Sequence, residues 1–149
     1  MGLRSERAAD GEYTCSMPAS QWFCTASGTF YGGAVALLAD YAMNGAVHTV
    51  VGPATSWGTL DLKVNFLRPV IPDGRPVTAR GSIAHRGRTV AVATAELVGA
   101  DGKTVALANS SVMVMPNRPW QVAAPVAPID EAPAEEDAAG RAAVDTQPA

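Results

Sequence analysis

The stretch that most limits what this chain can become covers residues 32–52, GGAVALLADYAMNGAVHTVVG. It opens on a glycine pair, closes on Gly52-Pro53, and holds three strongly polar side chains, Asp40, Asn44 and His48. About 18 residues of helix are predicted after the glycines, roughly 27 Å at 1.5 Å per residue, with Gly then Pro as the stop signal. The helix is apolar around most of its circumference, so it must be covered on several sides. Its three polar interruptions fit a buried helix better than a membrane span.

The residues after the helix can supply the cover. Leu60, Leu62, Val64 and Phe66 alternate with Thr59, Asp61, Lys63 and Asn65, the period of a half-buried strand ending at Arg68-Pro69. PDGRP (72–76) reads as a turn into a second strand over 77–85, and Arg86-Gly87-Arg88 as a tight connection into a third over 89–98. Asp101-Gly102 then turns the chain into a fourth, 104–115. Before the helix, 11–18 is a short strand ended by Pro18, and 19–31 is a loop rich in Ser, Thr and Gly. One long helix wrapped by about five antiparallel strands is the economical solution, an α+β domain.

The 149 residues make one domain, 48% hydrophobic and 17% charged, enough to bury a core. Residues 1–10 are expected to be frayed, 11–118 to form the domain, and 119–149 to be a Pro/Ala-rich acidic tail without fixed structure. Over 121–149 six acids face one base, Arg141, so most of the net charge of −3 belongs to the tail. The rest holds ten bases against eight acids and no basic stripe, which speaks against a nucleic-acid partner. Cys15 and Cys24 have no CxxC spacing, and with His48 and His85 they form no four-ligand zinc set. They read as free thiols of a reducing compartment. With charges and no apolar stretch at the start, no secretory signal is expected there, and with Glu6 at the sixth position no myristoylation either. A cytoplasmic location, with no membrane partner, is the expectation.

Asp40 is the only acid between Glu12 and Asp61, and Asn44 and His48 follow it on one helical stripe. A solvent-facing stripe is the plain reading, but such a face usually carries Lys, Glu or Arg, which this helix lacks; a polar cleft is the other. Gly32-Gly33 offers free N–H groups at the positive end of the helix dipole, suited to a developing oxyanion. Gly32 and Asp40 stand eight residues apart, about 12 Å along one helix. One carbonyl group cannot touch both, so a joint role requires two chains across a twofold axis.

Four blocks, GTFYGGAVALLAD (28–40), TLDLKVNFLRPV (59–70), AHRGRTVAVATAEL (84–97) and DGKTVALANSSVMVMP (101–116), resemble the hotdog-fold acyl-CoA thioesterases, in particular their phenylacetate-degradation branch. The resemblance covers about residues 11–116. It implies a hotdog fold, dimers that often pair into tetramers, an acyl-CoA thioester as substrate and no cofactor. It implies that Gly32 N–H polarises the thioester carbonyl and that Asp40 acts as nucleophile or as base for the attacking water. Thr59 would be contributed by the partner region near that water. Residues 66–71 and 85–90 would contact pantetheine and CoA, with Phe66, Gly33, Asn44, Gly87 and Thr89 lining the substrate. Arg68, Arg86 and Arg88 would be phosphate partners, as guanidinium forks suit that task. Tyr31 stands where the family has His, and Thr25 where many members have Asn, so the groups that place the thioester are altered. A retained thioesterase is one reading; a non-catalytic acyl-CoA-binding module is the alternative. An acyl hydratase is disfavoured for want of an Asp/His pairing. His85 reads as a surface or CoA-edge residue and His48 as a core histidine. Trp22, Phe23, Phe30 and Tyr31 either line an acyl pocket or simply pack. There is no GxSxG elbow, P-loop or dinucleotide-binding glycine pattern.

Overall fold

A computed structural model describes residues 1–115; the expected tail, 119–149, and the domain's end at 118 lie outside them. The strands are β1 (Arg4–Ala9), β2 (Glu12–Pro18), β3 (Ser56–Thr59), β4 (Lys63–Phe66), β5 (Pro76–Arg86), β6 (Val90–Val98) and β7 (Thr104–Met115), with one helix, α1 (Gly32–His48), and a short 3-10 turn at Gln21–Phe23. All strand pairs are antiparallel, in the order β1-β2-β5-β6-β7-β3, with β4 also on β7. The sheet of the described residues thus has seven strands against the expected five or so, curled around one helix in the hotdog arrangement. No helix among the described residues is long and apolar enough to cross a membrane.

The inner face of the sheet is built from small side chains, which lets the helix sit close. Ala79, Ala91, Ala93, Ala95, Ala106 and Ala108 are buried beneath Leu38, Ala39, Ala42, Met43 and Val47 of α1. The approach is tightest at Gly81, where a Cβ would lie 2.2 Å from the carbonyl oxygen of Ala42. The outer residues of β6 are less buried, giving its strict alternation over 91–97.

Three expectations need correction. Residues 4–9 are not frayed: Asp10-Gly11, with Gly11 at φ 74°, folds them back as a hairpin on β2. The helix ends at His48, three residues before the predicted end at Val51. Thr49 turns its hydroxyl onto the Ala46 carbonyl (2.7 Å) and accepts the Gly11 N–H (2.8 Å), competing with the helical ladder. Of the strand expected over 60–66 only 63–66 forms, as β4; 60–62 leave the ladder, and β3 covers Ser56–Thr59 just before them. At the break the Asp61 carboxylate accepts the Ser111 N–H (3.0 Å), and the Ser110 hydroxyl donates to the Asp61 carbonyl (2.7 Å). A side chain thereby takes a ladder donor and the edge bulges.

Candidate active site

Asp40 sits in the middle of α1, partly buried, and two neighbours converge on one of its oxygens. The Thr59 hydroxyl at the end of β3 donates to Oδ1 at 2.8 Å, and the Asn44 amide one helical turn on donates to it at 3.0 Å. The same amide lies 2.9 Å from Thr59 Oγ1 and 3.0 Å from the Asp40 carbonyl. Each side chain is held by the other two. Oδ2 has no hydrogen-bond partner among the described residues, so one carboxylate oxygen is left open. The structure brings Asp40, Asn44 and Thr59 together within one chain; the resemblance would have drawn Thr59 from a partner. The geometry puts it beside its own Asp40 because β3 packs directly against α1.

Gly32 stands at the first helical position, with Tyr31 as an extended N-cap residue whose side chain makes no cap hydrogen bond. The N–H groups of Ala34 and Val35 reach the Tyr31 carbonyl, whereas those of Gly32 and Gly33 have no acceptor among the described residues. Beside Gly32 opens a cavity of about 310 Å³, lined by Thr29, Phe30, Val35, Phe66, Arg68 and Val70 among others. The Phe66 ring packs over Gly32, its tip 3.3 Å from where a Cβ would stand, and the Tyr31 ring leans equally close over Gly33. Phe30 is the one loop aromatic that lines this cavity. Phe23 packs edge to face on it, and Trp22 is 94% exposed.

Thr25 does not reach the glycine turn. Its hydroxyl lies 2.9 Å from both Ser27 Oγ and Thr29 Oγ1, and its N–H donates to the Thr29 carbonyl. It closes a tight loop and touches the cavity only through Thr29. Arg86, Gly87 and Arg88 lie elsewhere again. They line a separate cleft of about 330 Å³ with Val47 and Val51, at the opposite end of the helix from Gly32 and Arg68. Thr89 offers its carbonyl to Val114 N–H (2.9 Å) and fixes that turn on β7. Within one chain, Arg68 and the Arg86–Arg88 turn are separated by most of the length of α1.

His48 is exposed and not a core histidine: it closes the helix and stacks on Trp57, ring centroids 4.8 Å apart. His85 lies exposed in β5, as expected of a surface residue. Cys15 and Cys24 are both free thiols, and among the described residues no three His, Cys, Asp or Glu side chains group to hold a metal. Sequence reasoning missed Thr29, Val35 and Val105 as cavity walls, whereas Val70 falls within the 66–71 stretch. Val35 was within reach of it, since a residue three positions after Gly32 shares its helical face.

One helix curled in an antiparallel sheet gives the hotdog fold, with an acid held at mid-helix and open N–H groups at the helix start. The chain belongs to the thioesterase superfamily, whose family model matches residues 27–106, and it is a thioester hydrolase. It is 30% identical over 105 residues to a provisionally named esterase of Saccharolobus solfataricus, covering 70% of this chain and 73% of that protein. Among solved structures, a thioesterase of Pseudomonas aeruginosa matches with a TM-score of 0.70 at 30% identity, covering 76% of this chain and 81% of that one. The phenylacetic acid degradation protein PaaI of Thermus thermophilus matches with a TM-score of 0.68 at 30% identity, covering 75% and 92%.

Proposed function

We propose that the enzyme hydrolyses acyl-CoA thioesters, without a cofactor, in a site made by two copies of the chain and working in the cytoplasm. The observation that carries this reading is Asp40: the only acid on the helix, with Oδ1 fixed by Thr59 and Asn44 and Oδ2 open. Water attacks the thioester carbonyl carbon while Oδ2 takes its proton. The oxyanion that forms accepts from the N–H of Gly32 of the partner subunit. The C–S bond then breaks, the proton passes to the departing sulfur, and a carboxylic acid and CoA thiol result. Direct attack by Oδ2 gives the same products through a mixed anhydride; ¹⁸O from water entering the Asp40 side chain in a single turnover distinguishes the two.

Two features support the second copy. The eight-residue spacing of Gly32 and Asp40, about 12 Å along one helix, puts both out of reach of one carbonyl. The β3–β4 edge has no further strand on it among the described residues, and apolar side chains crowd that side: Leu60 is 52% exposed and Phe66 57%. Leu37 and Tyr41, on the open face of α1, are each 41% exposed. A second copy would bury them, as exposed edges and apolar patches tend to be buried. Arg68 of one chain and the Arg86–Arg88 turn of the other would then hold the CoA phosphates.

Thiol release from a panel of acyl-CoA esters tests the assignment. Asp40→Asn should lower kcat about 10²- to 10⁴-fold. Thr59→Val, which keeps the shape and removes the 2.8 Å hydrogen bond, should lose less, and Thr59→Ser should keep most activity. Undiminished turnover by Asp40→Asn would remove Asp40 from the mechanism.

A further inference from the structure

On the far side of Asn44 from the carboxylate lies a second cavity, of about 230 Å³, open on one side to solvent and lined by Tyr13, Tyr41, Asn44, Gly45, His48 and Trp57. Four of these six are rings, brought from β2, α1 and β3. Tyr13 and Tyr41 meet edge to face with centroids 5.9 Å apart, and His48 stacks on Trp57 with the ring planes 19° apart. The helix makes room for Tyr13 by carrying glycine beneath it: a Cβ on Gly45 would stand 2.3 Å from the Tyr13 ring. Asn44 is the shared wall, since its amide is 3.0 Å from Asp40 Oδ1.

We propose that this ring-lined cavity seats the acyl group of the substrate, and that the His48–Trp57 stack is its end wall, limiting the acyl group to a single ring or a chain of up to about eight carbons. The inference rests on Asp40 being the residue at the reacting carbonyl. A carbonyl held there has one short side-chain width between it and the cavity. The competing space, beside Gly32, carries Arg68 at its rim and suits the polar CoA arm better than the acyl group. The ring cavity offers apolar walls and no carboxylate, lysine or arginine. At about 30 Å³ for each water-sized group it takes roughly seven or eight. Each methylene that fits should raise binding roughly fourfold, and the first that meets the wall should reverse the trend.

The test is a series of kcat/KM values for butanoyl-, hexanoyl-, octanoyl-, dodecanoyl-, hexadecanoyl- and benzoyl-CoA, on the full chain and on Trp57→Ala and His48→Ala. Because His48 is exposed, its variant keeps a measurable fold even where Trp57→Ala does not, and circular dichroism verifies both. The wild type should climb to octanoyl and drop at least tenfold at dodecanoyl, with benzoyl accepted. Either variant should raise the dodecanoyl-to-hexanoyl ratio at least tenfold, a change in profile that simple loss of stability does not produce. Parallel profiles in folded variants, or a wild type that takes hexadecanoyl as well as hexanoyl, overturn the acyl seat. An Asp40→Asn control separates the two ideas: retained turnover refutes the Asp40 reading, whereas an inactive control with parallel profiles refutes the acyl seat alone. No turnover of any ester by the wild type refutes both.

Discussion

Two inactive variants of this enzyme should restore each other when mixed. Gly32→Pro removes the N–H proposed to hold the oxyanion yet suits the helix, because proline is favoured at the first helical position. The residue before it is also compatible: Tyr31 has φ −65° and ψ 129°, the extended conformation that proline imposes on its predecessor. Loss of one such donor should cost about 10²- to 10³-fold in kcat, and Asp40→Asn at least as much. A carbonyl oxygen and an attacking water each sit about 3 Å from their partners, so one reacting centre spans roughly half of the 12 Å between Gly32 and Asp40 on a single helix. If the two residues act together across chains, a mixed dimer has one site with both defects and one site with neither. Equal mixing with random reassortment makes half of the dimers mixed, so about a quarter of wild-type activity should return. The assay is thiol release before and after co-refolding the two variants, with native mass spectrometry counting mixed dimers. Mixed dimers present without recovery, an active monomer, or an undiminished Gly32→Pro enzyme would each refute the shared site.

The close seat of the helix on the sheet makes Gly81→Ala costly, since the new Cβ meets backbone at Ala42 and not a side chain that can turn away. A loss of about 1–3 kcal/mol or more in urea unfolding is expected, and an unchanged midpoint would show that the helix can shift. Burial pushes the Cys15 thiol up to about 12, with Glu6 adding to it. The unfolded thiol ionises near its ordinary value of 9.0, so this contribution to stability is complete below about pH 9 and declines as pH rises towards 12. Under native conditions a thiol reagent should label exposed Cys24 and leave Cys15 unmodified until the protein unfolds.

The parts of the fold that were legible in the sequence are those where one face of an element is buried inside the chain. The helix of buried Leu38, Ala42, Met43 and Val47 and the meander of β5, β6 and β7 follow from periodicity alone. Asp40 was legible through scarcity, as an acid where an apolar helix has no structural use for one. Other features depend on single side chains competing for backbone groups, which periodicity does not register. Thr49 shortens the helix in this way, and Asp61 splits the edge strand by taking the Ser111 N–H. Thr25 occupies a position that the resemblance ties to substrate placement, yet its hydroxyl is spent on Ser27 and Thr29. A residue type matched by position does not fix which neighbour a short side chain will choose.

The alternation over 60–66 points to a further conclusion. It identifies Leu60, Leu62, Val64 and Phe66 as a face to be covered, yet Leu60, Leu62 and Phe66 are exposed in the single chain. Leu37 and Tyr41 repeat the pattern on a helix whose sequence is apolar nearly all round. These residues adjoin the functional cluster: Phe66 packs over Gly32, and Tyr41 shares a cavity with Asn44. A face selected only for folding would have been buried by the chain's own sheet, and one selected only for solubility would have been polar. An apolar face left open beside an acid with a free oxygen meets neither demand. It does meet the demand of the proposed two-chain thioester site, which would exclude water once a second copy finishes it. On that reading hydrophobic periodicity reports burial in the assembled enzyme, and where it disagrees with the single chain it marks the surface on which catalysis depends.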